Sequence, residues 1–229
     1  LKPALGYLEP DNTRTMPAQV AASSGLDILS HAVESYTALP FTGRPRPDRP
    51  SLRPPYQGSN PISDIWSLEA LRTVSRYLVR AVDDPSDDEA RANMLLAASC
   101  AGVGFGNAGV HLPHAMSYPV AGNVTEYRAP GYATDHPLVP HGLSVILNAP
   151  AVFRFTAPAS PHRHLQAAGA LGVDVSRARP EDAGQILADG ITSFMQRLNV
   201  PNGLRAVGYS SSDVPALVEG TLLQRRLTT

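Results

Sequence analysis

Residues 40–61, PFTGRPRPDRPSLRPPYQGSNP, hold seven prolines. Each proline lacks a backbone donor and fixes φ, so the stretch forms neither a helix interior nor a central strand. As a loop it is unusually long for a compact domain. The segments on both sides have the same helical character, so an excursion on one domain is expected in preference to a linker between two.

Those segments read as helices. Thr15 is a candidate N-cap with Pro17 in the first turn, opening a helix that runs to about Leu39. After the proline stretch, Ser63 opens a second. Its Ile65, Leu68, Leu71, Leu78, Val79 and Val82 form an apolar stripe that Asp83 to Pro85 end. Ser86 and Glu89 have capping-box spacing for a third helix through ARANMLLAASCAG. GLSVILNAPAVFRFTA (142–157) is expected to be a buried helix kinked at Pro150. Pro180 to Leu198 carries Leu187, Ile191, Phe194 and Leu198 on one face, and Ser212 is expected to cap a last helix. Only ALGYLEP (4–10) suggests a strand. The predicted class is mostly α.

Of the 229 residues, 43% are apolar, enough for a real core, and the formal net charge is −1. That balance lacks the basic footprint of a nucleic-acid binder, so none is expected as a partner. Lys2 is the only lysine among 19 basic residues, and the arginines are scattered. We read that as coding bias of a GC-rich bacterial genome. Cys100, the only cysteine, excludes an intramolecular disulfide and a cysteine-based zinc site, and its Ala-rich setting predicts burial. No run reaches the roughly 18 apolar residues of a membrane span, and no signal peptide is visible. The expectation is no membrane partner, and a cytoplasmic location in a bacterium or a mitochondrial one in a eukaryote.

SGLDILSHAVES (24–35) is the chemically informative stretch. Asp27 and His31 stand one helical turn apart on one face, and Glu34 falls on that face too. On spacing alone the pair reads as an i,i+4 contact. The surrounding Leu26, Ile28, Leu29 and Val33 predict burial, and a buried carboxylate needs a partner or a metal. Four of the seven histidines lie between 111 and 141: His111, His114, His136 and His141. A carboxylate with several imidazoles suits Fe(II), Zn(II), Mn(II) or Ni(II), and without thiolates it suits an open catalytic site. Spacing leaves open which of His111 or His114, and which of His136 or His141, belongs to the set. GFGNAG (104–109) matches a dinucleotide fingerprint literally. An Ala-rich helical run precedes it instead of a strand, so tight helix packing is the expected role. His162 and His164 are expected on a solvated face.

GLDILSHAVESYTALP resembles the metal-ligand helix of the iron-containing, group III alcohol dehydrogenases. GNAGVHLPHAMSYPVAG followed by PHGLSVIL resembles their second signature, and the motifs occur in the family's order. The resemblance implies a helical, dehydroquinate synthase-like C-terminal domain over residues 15–229. Residues 1–14 would be a remnant of an N-terminal α/β nucleotide-binding domain that is otherwise lacking. It implies Asp27, His31, His114 and His141 as ligands of Fe(II) or Zn(II), with His111 and His136 as bystanders, and NAD as the intact enzyme's cofactor. Tyr118 stands where many members carry a further histidine, and is the candidate catalytic residue. The longer stretch between His114 and His141, with the proline-rich loop, resembles the hydroxyacid-oxoacid transhydrogenase branch. That branch implies a small alcohol or hydroxyacid such as 4-hydroxybutyrate, an oxoacid acceptor, and Arg128 as a substrate-carboxylate contact. The chain is then expected to be a fragment with little activity unless it meets its nucleotide-binding domain or a partner chain. A homo-oligomer is compatible with this reading. The rival readings are a metal-dependent hydrolase with the same ligands, and a non-catalytic helical module.

Overall fold

The computed structural model describes residues 5–224. Its elements are α1 (Ala18–Thr37), α2 (Pro61–Asp83), α3 (Asp88–Ala108), α4 (Leu112–Gly122), α5 (His141–Ile146), α6 (Ala149–Thr156), α7 (Pro161–Ala170), α8 (Ala183–Arg197) and α9 (Val214–Leu222), with short 3-10 turns between several of them. Among the described residues there is no strand, only isolated bridges at Pro40–Ser59 and Arg128–Leu138. The strand expected at 4–10 is not formed. Residues 5–9 are irregular and Pro10–Thr13 is a 3-10 turn, since no neighbouring strand offers a ladder. Residue 4 lies outside the described residues. No single described helix is long and apolar enough to cross a membrane.

α1 is the hub. It packs on α2, α3, α5 and α7, and from Leu29 to Tyr36 nearly every side chain is buried, Ser30, Glu34 and Ser35 included. Leu26, Leu29, Leu71, Leu78, Ile146, Phe153, Leu187, Ile191 and Met195 form one continuous core across the helices. Burying these side chains contributes about 1.5–3 kcal/mol each, the term that offsets chain ordering. The proline-rich stretch joins α1 to α2, which pack on each other. Two 3-10 turns, Phe41–Gly43 and Pro50–Leu52, break it, and the Phe41 N–H donates to the Ser59 carbonyl so that its ends meet.

The expected helices formed, α4 and α7 were not anticipated, and several helix starts lie elsewhere than expected. α1 begins after Pro17, with no side-chain cap from Thr15. Asn60, not Ser63, caps α2, accepting from the Ile62 and Ser63 N–H groups. Asp87, not Ser86, caps α3 through the Ala90 N–H, and Glu89 turns instead to Arg80. Ser210, not Ser212, carries the last capping box, on the Ser211–Asp213 turn that leads into α9. The 142–157 segment is two helices broken at Leu147 and Asn148, just before Pro150.

Two glycines set the approach of the elements that carry the histidines. Gly109 closes α3 with φ of +96°, a conformation costly for other residues, and α4 leaves at 106° to α3. Gly142 opens α5 against α1. A Cβ there would stand 2.0 Å from the Ser23 carbonyl oxygen and 2.9 Å from Asp27 Cβ. Gly104 lies against Ser67, so the GFGNAG segment serves helix packing, as expected.

Candidate metal centre

Asp27 and His31 project from the buried face of α1, His114 from the first turn of α4, and His141 from the first position of α5. Their polar atoms converge. Asp27 Oδ1 lies 3.4 Å from His114 Nε2, 3.8 Å from His141 Nε2 and 3.5 Å from His31 Nδ1. Asp27, His31 and His114 each offer a ligand atom within 4.8 Å of the others. Donors about 2.1 Å from a tetrahedral ion stand about 3.4 Å apart, so the Asp27–His114 and Asp27–His141 spacings suit a shared cation.

The hydrogen bonds around the cluster orient it. His31 Nδ1 is 2.9 Å from the Asp27 carbonyl oxygen, which only accepts, so Nδ1 carries the proton and Nε2 keeps its lone pair. The ring stacks on Phe105 with centroids 4.2 Å apart. His114 Nδ1 donates to Glu34 Oε1 at 2.6 Å. Glu34 Oε2 accepts from the His111 N–H at 2.7 Å, tying the start of α4 to α1. Glu34 therefore fixes which nitrogen of His114 faces Asp27, as carboxylates do behind metal-bound imidazoles.

Two atoms are left over. Asp27 Oδ1 and His114 Nε2 are both buried and have no hydrogen-bond partner. Such groups are costly to bury unmet. A carboxylate opposite imidazole nitrogens left without partners is a donor set that fits a divalent cation.

The electrostatics agree with that fit. Burial pushes the Asp27 carboxyl up, but the neighbouring His114, His31 and His141 outweigh it and hold its pKa below the ordinary value. Burial lowers His31 to about 4, so its ring is neutral at neutral pH. Burial also opposes charge on His114, yet Glu34 and Asp27 raise it to about 9. A cation would take the place of that second proton.

A cavity of about 480 Å³ opens beside the cluster, lined by Asp27, His31, Phe105, Tyr132, Leu138 and His141. His141 is half exposed and forms its open side. Tyr118, one turn after His114, has its ring centroid 6.4 Å from that of His141. Arg128 is exposed, with Nη1 3.5 Å from the Thr134 carbonyl oxygen. Neither Tyr118 nor Arg128 lines the cavity.

The remaining histidines part company. His111 Nε2 turns to Thr37 Oγ1 at 3.1 Å, and His136 is exposed beside Asp135. His162 is exposed, as expected, but His164 is fully buried. It was misplaced because its helix face points inward at Thr156 and Phe153, which lie outside its own segment. Cys100 is buried, as expected. Sequence reasoning placed Glu34 on the correct face without a role, and missed Phe105 and Gly142. The i+7 spacing from Asp27 was the one local signal for Glu34.

The chain resembles several known proteins. The family description "Fe-containing alcohol dehydrogenase family, C-terminal" matches residues 56–229. The chain is 59% identical over 229 residues to a mitochondrial hydroxyacid-oxoacid transhydrogenase of Xenopus tropicalis, covering 100% of this chain and 50% of that protein. To the Homo sapiens protein of the same name it is 58% identical over 100% of this chain and 49% of that one. A solved 1,3-propanediol oxidoreductase superposes with a TM-score of 0.79 at 26% identity, over 96% of this chain and 50% of its own. The chain spans about half the length of the curated relatives it matches. Those relatives are eukaryotic proteins named as mitochondrial, so the expectation of a bacterial cytoplasmic location finds no support. The match begins inside the proline-rich excursion and continues to Thr229, and the helical architecture is common to the solved relative: this chain belongs to the Fe-containing alcohol dehydrogenase family.

Proposed function

We propose that the chain is the helical metal-binding half of a mitochondrial oxidoreductase that moves hydride between a small hydroxyacid and an oxoacid by way of a nicotinamide. The observation that carries the reading is the pair of buried, unpartnered atoms, Asp27 Oδ1 and His114 Nε2, facing each other beside His31 and His141. The names of the relatives support the substrate class. Family membership favours oxidoreduction over hydrolysis by the same ligand set. In this reading residues 15–229 form the metal-binding half and residues 1–14 end a nucleotide-binding half that carries the NAD site.

Asp27, His31, His114 and His141 would hold one Fe(II) or Zn(II), which would supply Lewis acidity toward a substrate oxygen. The Asp27 carboxylate would neutralise part of its charge. Glu34 keeps the His114 Nδ1 proton in place, and Phe105 holds the plane of His31. Tyr118, beside His141, positions the substrate or passes its hydroxyl proton. Arg128 stands on the same loop as the cavity-lining Tyr132 and Leu138, and takes the substrate carboxylate through its guanidinium fork.

Elemental analysis tests the metal reading. The purified chain should carry close to one equivalent of iron or zinc, and Asp27→Ala less than about a tenth of that. Equal metal content in both would refute it. Oxidation of 4-hydroxybutyrate coupled to reduction of an oxoacid should need the nucleotide-binding half as well. A normal rate from this chain alone would overturn the division of labour.

A further inference from the structure

The four candidate ligands sit on three helices, and only Asp27 and His31 share one. α4, which carries His114, packs chiefly on α5 and α9. Among the described residues, the hydrogen bonds that tie it to α1 all lie at its start, at His111 and His114. The placing of His114 against Asp27 therefore depends on how α1 grips that start.

Glu34 supplies one part of the grip. The His111 side chain does not cap α4. Glu34 Oε2 fills that place from α1, accepting from the His111 N–H at 2.7 Å and from the His114 N–H at 3.4 Å, while Oε1 takes His114 Nδ1. One carboxylate thus caps α4 and orients a ligand ring. A shift of residue 111 would pull on the same carboxylate that holds Nδ1.

The His111 ring supplies the other part. Thr37 gives its only hydroxyl proton to the Val33 carbonyl, at 2.8 Å. Its oxygen can then only accept, so His111 Nε2, at 3.1 Å, is the donor. An edge-on contact with Phe153, centroids 5.9 Å apart, braces the ring. Residue 111 is thereby fastened to α1 at two points, its backbone to Glu34 and its ring to Thr37, which lie on one face of the helix. We propose that His111 is no bystander to the metal set but a positioning residue: its bond to Thr37 fixes the start of α4, and through Glu34 it fixes the His114 ring against Asp27. The consequence for a cation rests on the metal reading; the clamp itself belongs to the metal-free chain.

Two pairs of variants test the proposal. His111→Phe keeps a ring against Phe153 and Thr37→Val keeps the shape of the side chain, and each removes one side of the Nε2–Oγ1 bond. His111→Gln still offers Thr37 a donor, and Thr37→Ser keeps the hydroxyl. Zn(II) affinity is read by chelator competition. In the metal-free chain, NMR reads the exchange of the His114 Nδ1 proton, which its short bond to Glu34 protects. His111→Phe and Thr37→Val should each lose about tenfold or more in Zn(II) affinity and exchange that proton faster by a similar factor. His111→Gln and Thr37→Ser should match the wild type in both. A histidine that only packs would shift urea unfolding and leave both readouts where they are. That result, or an equal loss in the conservative and the disruptive variant of each pair, would overturn the proposal. A wild-type chain that binds no Zn(II) would instead refute the metal reading, and the metal-free exchange rates would still decide the role of His111.

Discussion

His114 and His164 are equally hidden, at 1% and 0% exposure, yet they occupy opposite kinds of surroundings. His164 is complete. Its Nε2 pairs with Thr156 Oγ1 at 3.0 Å and its Nδ1 with the Ser160 carbonyl at 2.9 Å. Burial among these neutral partners pushes its pKa down, so it packs as an uncharged ring. His114 is incomplete. Glu34 takes one nitrogen, and the other faces a carboxylate without a bond. Burial therefore does not distinguish a structural histidine from a ligand. A buried ring nitrogen left without a bond and aimed at a buried acid does.

The largest expected contrast comes from truncating each ring. His114→Ala should cut metal affinity at least about a hundredfold, read by elemental analysis and chelator competition. His164→Ala should leave metal content unchanged and instead cost about 2–4 kcal/mol of stability in urea unfolding, from the cavity and lost hydrogen bonds. Loss of metal in the second variant would erase the distinction.

The pH dependence should be nearly as large. His114 of the metal-free chain holds its second proton up to a pH of about 9. Below that value a cation must displace this proton, so apparent affinity should fall about tenfold for each unit the pH drops, and level off above it. Affinity flat between pH 6 and 8 would mean that His114 is not displaced by the ion.

Glu34→Gln is the mildest and sharpest change. Glutamine can still accept from His114 Nδ1 but carries no charge. Metal affinity should fall about ten- to a hundredfold. The pH at which the slope levels off should move down, because Glu34 is the main group raising His114. An unchanged pH profile would remove Glu34 from the centre.

Much of this was legible in the sequence. The apolar stripes of α2 and α8 announced helices, and Asp27 with His31 announced a shared face, because both are set by the 3.6-residue period. The helix starts were less legible. Ser86 and Asp87, Asn60 and Ser63, and Ser210 and Ser212 are rival caps within one turn, and cap preferences among such residues differ too little to choose between them. Where each helix begins depends on how the preceding loop arrives.

By itself, then, the sequence determined a mostly helical chain interrupted once by prolines, and half of a candidate metal set on one helix face. Those properties are local, and the backbone imposes them within a few residues. Spacing left His111 or His114 and His136 or His141 open and only the resemblance pointed to His114 and His141; the tertiary structure brings those two to Asp27, and it alone decided that Glu34 stands behind His114 and that His164 is core. Glu34 and His114 are 80 positions apart. What joins them is the turn at Gly109 and the close contact of Gly142 with α1, and helix periodicity carries no information about which faces of separate helices meet.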